Sequence, residues 1–300
     1  MGFGVVRLSA SWREIDEAGY QHLDWLIEEA TSSGQRVVLA VGMKALGWPE
    51  FYVPERLEPQ APFGSDVARG SLGGRTLKFV RDTVMRYRTN SNIVAWQLEN
   101  EPFNRSGPHA WWLGRRIILA ERQIVESLDP RPVIVTTFVH FSAGLDRAST
   151  HFRSDWMRRL GLDVPAEREA LATLRRDDIL GLDVYRAIGW WKTAQEQEVA
   201  RSEDNQLDHV RRWQRIAREQ RKHFWITEAQ AEPWEASSET HADPLSVRPT
   251  DMLDLAAALV ALEVEVVLLW GSEYWVWREQ HGDARWIESA AEVLGRVLIS

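Results

Sequence analysis

The chain has 300 residues, of which 44% are hydrophobic and 27% charged, and its formal net charge is −8. This length suits one large α/β domain over residues 1–300, since such domains take about 250 residues. The acidic balance argues against nucleic-acid partners, because phosphate contacts require clustered Lys and Arg that are not offset by acids.

Cysteine is absent from the chain, which excludes disulfides, thiolate nucleophiles and cysteine metal sites. The absence permits a reducing compartment, and we predict a cytoplasmic location. No run of about 18 apolar residues indicates a membrane span, and the N-terminal residues lack the layout of a signal peptide. The eight histidines form no helical metal-binding signature, so we expect neither a metal nor an organic cofactor.

Apolar, β-branched runs alternate with helix-like stretches, a pattern typical of parallel strands that are buried on both faces. The predicted strands, in chain order, are Gly4–Ser9, Arg36–Val41, Ile93–Leu98, Val133–Phe138, Ile179–Val184, Phe224–Thr227 and Val266–Trp270. The predicted helices are Tyr20–Ser33, Leu77–Tyr87, Trp111–Ser127, Gln206–Gln220, Met252–Leu262 and Trp286–Leu298. The predicted long loops are Trp48–Gly74, Ser142–Arg175 and Glu232–Pro249.

Seven predicted strands are one fewer than a closed (β/α)8 barrel contains, and the first begins almost at Met1. We therefore predict an α/β fold, a (β/α)8 TIM-type barrel that lacks the first βα unit at its N-terminus. The strand edges at the resulting gap would be unpaired. We expect the gap to be narrowed by local rearrangement, filled by a loop or covered by a partner chain, the last giving a homo-oligomer through the open edge.

Two of the predicted strands deliver a glutamate at their carboxyl ends, Glu101 in Trp96–Pro102 and Glu228 in Trp225–Glu228. Retaining glycoside hydrolysis requires such a pair, because one carboxylic acid protonates the leaving oxygen while a carboxylate attacks the anomeric carbon. Barrel enzymes keep their catalytic groups at carboxyl strand ends, and repulsion between two carboxylates there raises the pKa of one. The pair therefore predicts a glycosidase.

At these positions the chain resembles the cellulase-like, family 5-type members of glycoside hydrolase clan A. The run from Gly2 to Trp12 resembles their second strand, Asn100-Glu101-Pro102 resembles their fourth-strand acid/base signature, and Glu228 stands where their seventh-strand nucleophile belongs. The resemblance covers strands two to eight. It implies a retaining β-glycoside hydrolase with Glu101 as general acid/base and Glu228 as nucleophile, their carboxyl groups about 5–5.5 Å apart.

The resemblance also implies roles for four neighbours of these glutamates. Asn100 would bind the 2-hydroxyl of the sugar. Arg7 and Tyr185 would hold the Glu228 carboxylate, and Trp270 would be the platform for a sugar ring. The implied partner is a carbohydrate, a β-glucoside, β-mannoside or β-galactoside, and no cofactor is implied.

Several alternatives stay open. At the third strand, where many family members have histidines, Lys44 is the nearest polar candidate for substrate contact. Glu99 shares a strand face with Glu101 by alternation and is interpreted as structural, and Glu232 is interpreted as a loop residue near a subsite. The main alternative function is a non-catalytic carbohydrate-binding barrel. Aldolase-like or enolase-like chemistry is disfavoured, because no suitable Lys nucleophile or carboxylate cluster for Mg²⁺ stands out.

Overall fold

The computed structural model describes residues 2–138, 166–191, 193, 196–236 and 241–297. Its strands are β1 (Val5–Ser9), β2 (Arg36–Val41), β3 (Ile93–Leu98), β4 (Val133–Phe138), β5 (Ile179–Val184), β6 (Ala187–Trp191), β7 (Gln197–Arg201), β8 (His223–Gln230) and β9 (Val266–Trp270). Its α-helices are α1 (Trp12–Ala18), α2 (Gln21–Ser32), α3 (Ser71–Tyr87), α4 (Arg115–Leu128), α5 (Ala166–Thr173), α6 (Gln206–Glu219), α7 (Pro249–Val260), α8 (Ser272–Gln280) and α9 (Arg285–Val297).

Seven of these strands form one sheet in the order β1-β2-β3-β4-β5-β8-β9. Every neighbouring pair is parallel, and at least one helix lies between successive strands of the sheet. Helical crossovers are the connection that parallel strands require. The sheet curves into a nearly closed barrel, because β9 returns close to β1. The predicted barrel and its seven strands are confirmed.

The interior of the barrel is layered. Its apolar floor is a small cluster to which β2 to β5 contribute Val38, Ala95, Ile134 and Ile179. Because side chains alternate along a strand, residues two positions further on also point inwards. Those residues are polar or small, namely Ala40, Gln97, Thr136 and Gly181. A polar layer therefore lies directly beneath the rim formed by the carboxyl ends of the strands.

The opposite faces of the strands pack against the helices. Leu39, Trp96, Val135, Leu180 and Ile226 are fully buried there and belong to the main hydrophobic core. This burial on both faces explains why the strands appear as nearly continuous apolar runs in the sequence. Among the described residues, no helix combines the length and the apolar character needed to cross a membrane.

The barrel has one gap, between β9 and β1. All residues of these two strands are half-buried, whereas β2 to β5 and β8 are buried almost throughout. In the described residues no backbone ladder joins the two strands. Side chains cross the gap, since Arg7 Cζ lies 5.5 Å from the ring centroid of Trp270, and Phe3 and Trp275 have ring centroids 6.1 Å apart. The gap is narrowed in this way, and association through it stays a prediction.

Two predicted helix starts are wrong by four residues or more, and the helix predicted from Met252 begins three residues earlier, at Pro249. Helix α3 begins at Ser71, well before the predicted Leu77. Its first turn is rich in glycine, which has low helix propensity, and so the sequence pattern did not reveal it. Helix α4 begins at Arg115, because Trp111 instead forms an isolated bridge with Ser106.

The sequence pattern also missed short elements. The predicted loop Ser142–Arg175 contains α5, while its residues 142–165 lie outside the described part of the chain. The antiparallel hairpin of β6 and β7, helix α1 and helix α8 were not predicted. Each of these elements spans too few residues to show a clear hydrophobic period.

A methyl group at Gly181 would collide with its neighbours in the polar layer. An added Cβ would lie 2.7 Å from Thr227 Oγ1 and 3.0 Å from Thr136 Cγ2, and both threonines are buried. We expect Gly181→Ala to lower the free energy of unfolding, measured in urea, by about 1–3 kcal/mol. Gly74→Ala is the matched control, because Gly74 lies inside α3 with open space around it and should gain about 0.5–1 kcal/mol. Equal changes in the free energy of unfolding for both variants would contradict the close packing around Gly181 in the polar layer.

Candidate active site

Glu228 lies at the rim, in the carboxyl half of β8, and only 4% of it is exposed. Arg7 Nη2 donates to Glu228 Oε1, and the Tyr185 hydroxyl donates to Glu228 Oε2 at 2.5 Å. Arg7 Nη1 also donates to Gln97 Oε1 at 3.1 Å, which fixes the plane of the guanidinium group. Two donors, from β1 and from the residue after β5, therefore hold both oxygens of one carboxylate.

The groups around Glu228 keep their protons. Burial by itself would lower the pKa of Arg7, but the charges of Glu228 and Asp183 produce a net rise, so the guanidinium stays charged. Burial raises the pKa of Tyr185 well above its usual value, and the Glu228 charge raises it further. The phenol therefore remains a neutral hydrogen-bond donor.

Glu101 follows β3 on the same rim and is half-buried. Its N–H donates to Thr136 Oγ1 at 2.9 Å, and its carbonyl accepts from Lys44 Nζ at 2.6 Å. Lys44 Nζ also lies 3.0 Å from Glu50 Oε2 and donates to Asn104 O at 3.3 Å. Lys44 is thus a buried support for the Glu101 backbone, so the suggestion that it contacts substrate is wrong.

The surroundings of Glu101 favour its protonated form. Burial raises the pKa of this carboxyl well above its usual value, the charge of Asp183 raises it further, and Lys44 opposes the rise. The charge of Glu228 also raises it, which shows that the two glutamates share one electrostatic environment. A carboxyl with a raised pKa and a carboxylate bound by Arg7 therefore occupy one rim.

The backbone turns sharply after β3. Glu99 and Glu101 have φ angles of 57° and 43°, values that residues other than glycine adopt rarely and at an energetic cost. Glu99 Oε2 accepts from Lys44 N at 2.5 Å, and its carboxyl meets that of Glu121 on α4. The expected shared face of Glu99 and Glu101 is wrong, because strand alternation ends at Leu98.

Asn100 and Trp270 flank the two glutamates. Asn100 is 5% exposed, and its Oδ1 accepts from Gln97 Nε2 at 3.2 Å. Trp270 ends β9, is half-buried, and hydrogen-bonds to Glu232. The six predicted site residues consequently lie around one rim: Arg7, Asn100, Glu101, Tyr185, Glu228 and Trp270.

Glu232 is the nearest rival to Glu228. Burial raises its pKa to about 7, although the hydrogen bond with Trp270 lowers it. Its described contacts are with Trp270 and with Gly271, where an added Cβ would lie 2.4 Å from Glu232 Cβ. It therefore lies beside the paired site, at the edge formed by β9.

Two residues that join this site together, Asp183 and Gln97, were not predicted from the sequence. Asp183 on β5 is fully buried; its charge raises the pKa of Glu101, and the charge of Glu228 raises the pKa of Asp183. An acid in an apolar strand, two residues before Tyr185 and so on the same face, was a usable signal. Gln97 binds Arg7 through one amide atom and Asn100 through the other, but a glutamine in a strand has no specific signature.

No protein-family model matches the sequence, and no curated protein matches it either. Solved structures do match it. The β-galactosidase from the psychrophilic Marinomonas ef1 aligns with a TM-score of 0.57 and 13% identity over 90% of this chain and 50% of that one. The β-glucosidase from Thermotoga maritima in complex with noeuromycin aligns with a TM-score of 0.54 and 11% identity, over 89% of this chain and 73% of that one. A GH5_18 protein from Streptomyces cattleya in complex with GlcNAc aligns with a TM-score of 0.54 and 15% identity, over 90% of this chain and 62% of that one.

These neighbours are barrels of glycoside hydrolase clan A. At identities of 11–15% the likeness establishes the fold of this chain. The chain spans about half the length of the β-galactosidases that it matches.

Arg7→Met should leave the Glu228 carboxylate buried without its cation, and so lower the free energy of unfolding by about 3–5 kcal/mol. Adding Glu228→Gln should recover much of this loss, because a neutral amide costs less to bury. Urea unfolding of the single and double variants measures the coupling. Arg56→Met is the control, since the exposed pair of Arg56 with Asp16 should contribute less than about 1 kcal/mol. Purely additive effects of the Arg7 and Glu228 changes would contradict the ion pair.

The buried pair of Glu99 and Glu121 should make stability depend on pH. Burial raises the pKa of both carboxyls in the folded protein, so their contribution is complete below the unfolded pKa and is lost as pH rises through the folded pKa. Glu121→Gln should therefore gain stability over wild type mainly at about pH 9, and little at about pH 5, in urea unfolding. Glu126→Gln, in the same helix but exposed, should not reproduce this trend. Parallel pH curves for Glu121→Gln and wild type would rule the pair out.

Proposed function

We propose that the protein is a retaining β-glycoside hydrolase. The observation that carries the proposal is one carboxylate, Glu228, held by Arg7 and Tyr185, on the same rim as a second carboxyl, Glu101, whose pKa is raised. Retaining hydrolysis needs a nucleophile that is ionised and an acid that is protonated at the same pH. The barrel neighbours, which include a β-glucosidase and a β-galactosidase, support the same assignment.

In the first step Glu101 transfers its proton to the glycosidic oxygen while a Glu228 oxygen attacks the anomeric carbon. The bond to the leaving group breaks, the alcohol departs, and a glycosyl ester of Glu228 forms. Arg7 and Tyr185 keep Glu228 ionised before attack, and they stabilise it again as it leaves. In the second step ionised Glu101 takes a proton from water, which attacks the anomeric carbon and releases Glu228.

Two further residues are assigned to the substrate. Asn100 would bind the sugar 2-hydroxyl through its amide nitrogen, since Gln97 already donates to its oxygen. Trp270 would stack on a sugar ring beside the guanidinium of Arg7. We infer a β-glucoside, β-mannoside or β-galactoside substrate, because β-glucosides and β-galactosides are the substrates named for the neighbouring structures.

A panel of aryl β-glycosides tests the activity. We expect the wild-type protein to release the aglycone from at least one member, with a product of the same anomeric configuration by NMR. Glu228→Gly should lose about 10⁴-fold or more in turnover, and azide should restore it as a glycosyl azide of inverted configuration, because the small anion fills the vacated space. Glu232→Gly is the matched control and should need no rescue.

The other outcomes are equally informative. Azide rescue at Glu232 alone would transfer the nucleophile role to that residue. A product of inverted configuration would exclude double displacement. Sugar binding without any aglycone release would favour a non-catalytic carbohydrate-binding barrel, which the unpaired gap between β1 and β9 makes the specific second candidate.

A further inference from the structure

Asp183 is a third carboxyl beneath the rim, and the mechanism above does not use it. It lies on β5, opposite Glu228 in the register with β8, and is fully buried. Its Oδ1 accepts from Thr227 Oγ1 at 2.6 Å. Its Oδ2 has no hydrogen-bond donor among the described residues, and the Asp183 carboxyl lies within hydrogen-bonding reach of the Glu101 carboxyl. Two carboxyls that meet in this way can form a hydrogen bond only if one of them holds a proton.

The cations nearby are already paired. Arg7 is bound to Glu228, and Lys44 is bound to Glu50 and to backbone carbonyls. Within the described part of the chain, the other ionisable side chain beside the pair is Tyr185, a neutral phenol that donates to Glu228. If Asp183 and Glu101 were both ionised, two negative charges would be buried together, and no cation of the described residues would be free to balance them.

A bound metal ion and screening by water are the usual ways of relieving such repulsion. Among the described residues no three His, Asp or Glu side chains are arranged to hold a metal ion. Burial at this depth also limits screening by water. Two carboxyls in contact then retain one proton between them, as coupled acids do.

We propose that Asp183 is a positioning residue that shares one proton with Glu101 and so keeps Glu101 in the acid form before the first step. The inference rests on the proposed function. Glu101 is the half-buried member of the pair and Asp183 the fully buried one, so the substrate can take the proton only from Glu101.

The pair also explains how Glu101 changes role. Once Glu101 has given its proton to the glycosidic oxygen, the pair carries two negative charges in a buried place. That repulsion favours return of a proton, which is what Glu101 must take from water in the second step. Burial and the Glu228 charge raise the pKa of Asp183 to about 8, while the hydrogen bond with Glu101 lowers it, in keeping with Glu101 as the member that donates the shared proton.

The test compares pH profiles of kcat/KM. Asp183→Asn removes the negative neighbour, so Glu101 should lose its proton more easily and the alkaline limb should move down by about 1 pH unit or more. Asp178→Asn is the matched control, because Asp178 is a buried acid next to the other end of β5, where it binds Arg122. Asp178→Asn should lower the stability of the protein but leave the alkaline limb of the kcat/KM profile at its wild-type pH.

A second measurement needs neither activity nor a stable Asp183 variant. Carbon-13 NMR of the carboxyl carbons in the wild-type protein should show the pair titrating in two widely separated steps, and Glu101→Gln should abolish the upper of these steps, because the coupled partner is gone. Ordinary titration of both groups, or an unchanged alkaline limb in folded Asp183→Asn, would overturn the shared proton. Failure to hydrolyse any glycoside, with the two-step titration present, would overturn only the proposed function.

Discussion

The site depends on one buried ion pair, between Arg7 and Glu228. A carboxylate that is 4% exposed stays ionised only if a cation and hydrogen-bond donors replace its water. Arg7 supplies both, and it is in turn oriented by Gln97 in the polar layer beneath the rim. Because Arg7 is bound to Glu228, it is not free to pair with the other rim carboxyls, and burial raises the pKa of Glu101 and of Asp183.

Much of the fold follows from pattern alone. The parallel strands are buried on both faces, so their apolar runs appear in the sequence with nearly correct limits. Short elements such as α1 and the β6–β7 hairpin do not, because a few residues cannot define a hydrophobic period. The missing partner between β9 and β1 was also predictable, since counting strands is enough to reveal it, whereas the side chains that narrow the gap depend on three-dimensional closure.

The site, like the fold, was predictable where it depends on the strands and not where it depends on the conformation of the loops. Glu101 and Glu228 stand out because a strand end is a recognisable place for a charged residue in a barrel. The direction of a side chain beyond the strand end is set by backbone angles, and the positive φ at Glu99 turns that residue towards Glu121, which no alternation rule foresees. Lys44 was visible in the sequence, but its role follows from which carbonyls lie within reach, a property of the folded loop.

The half-buried edge of the barrel has a kinetic consequence. In the part of the chain that the structure describes, β1 is paired with β2 alone. Its amides should therefore be among the first of the sheet to exchange with solvent, and its opening need not wait for the rest of the barrel. Yet β1 carries Arg7, the counter-ion of Glu228. Fraying of this one strand would remove that charge while helices and inner strands stay intact, so on heating the site should be inactivated before the protein melts.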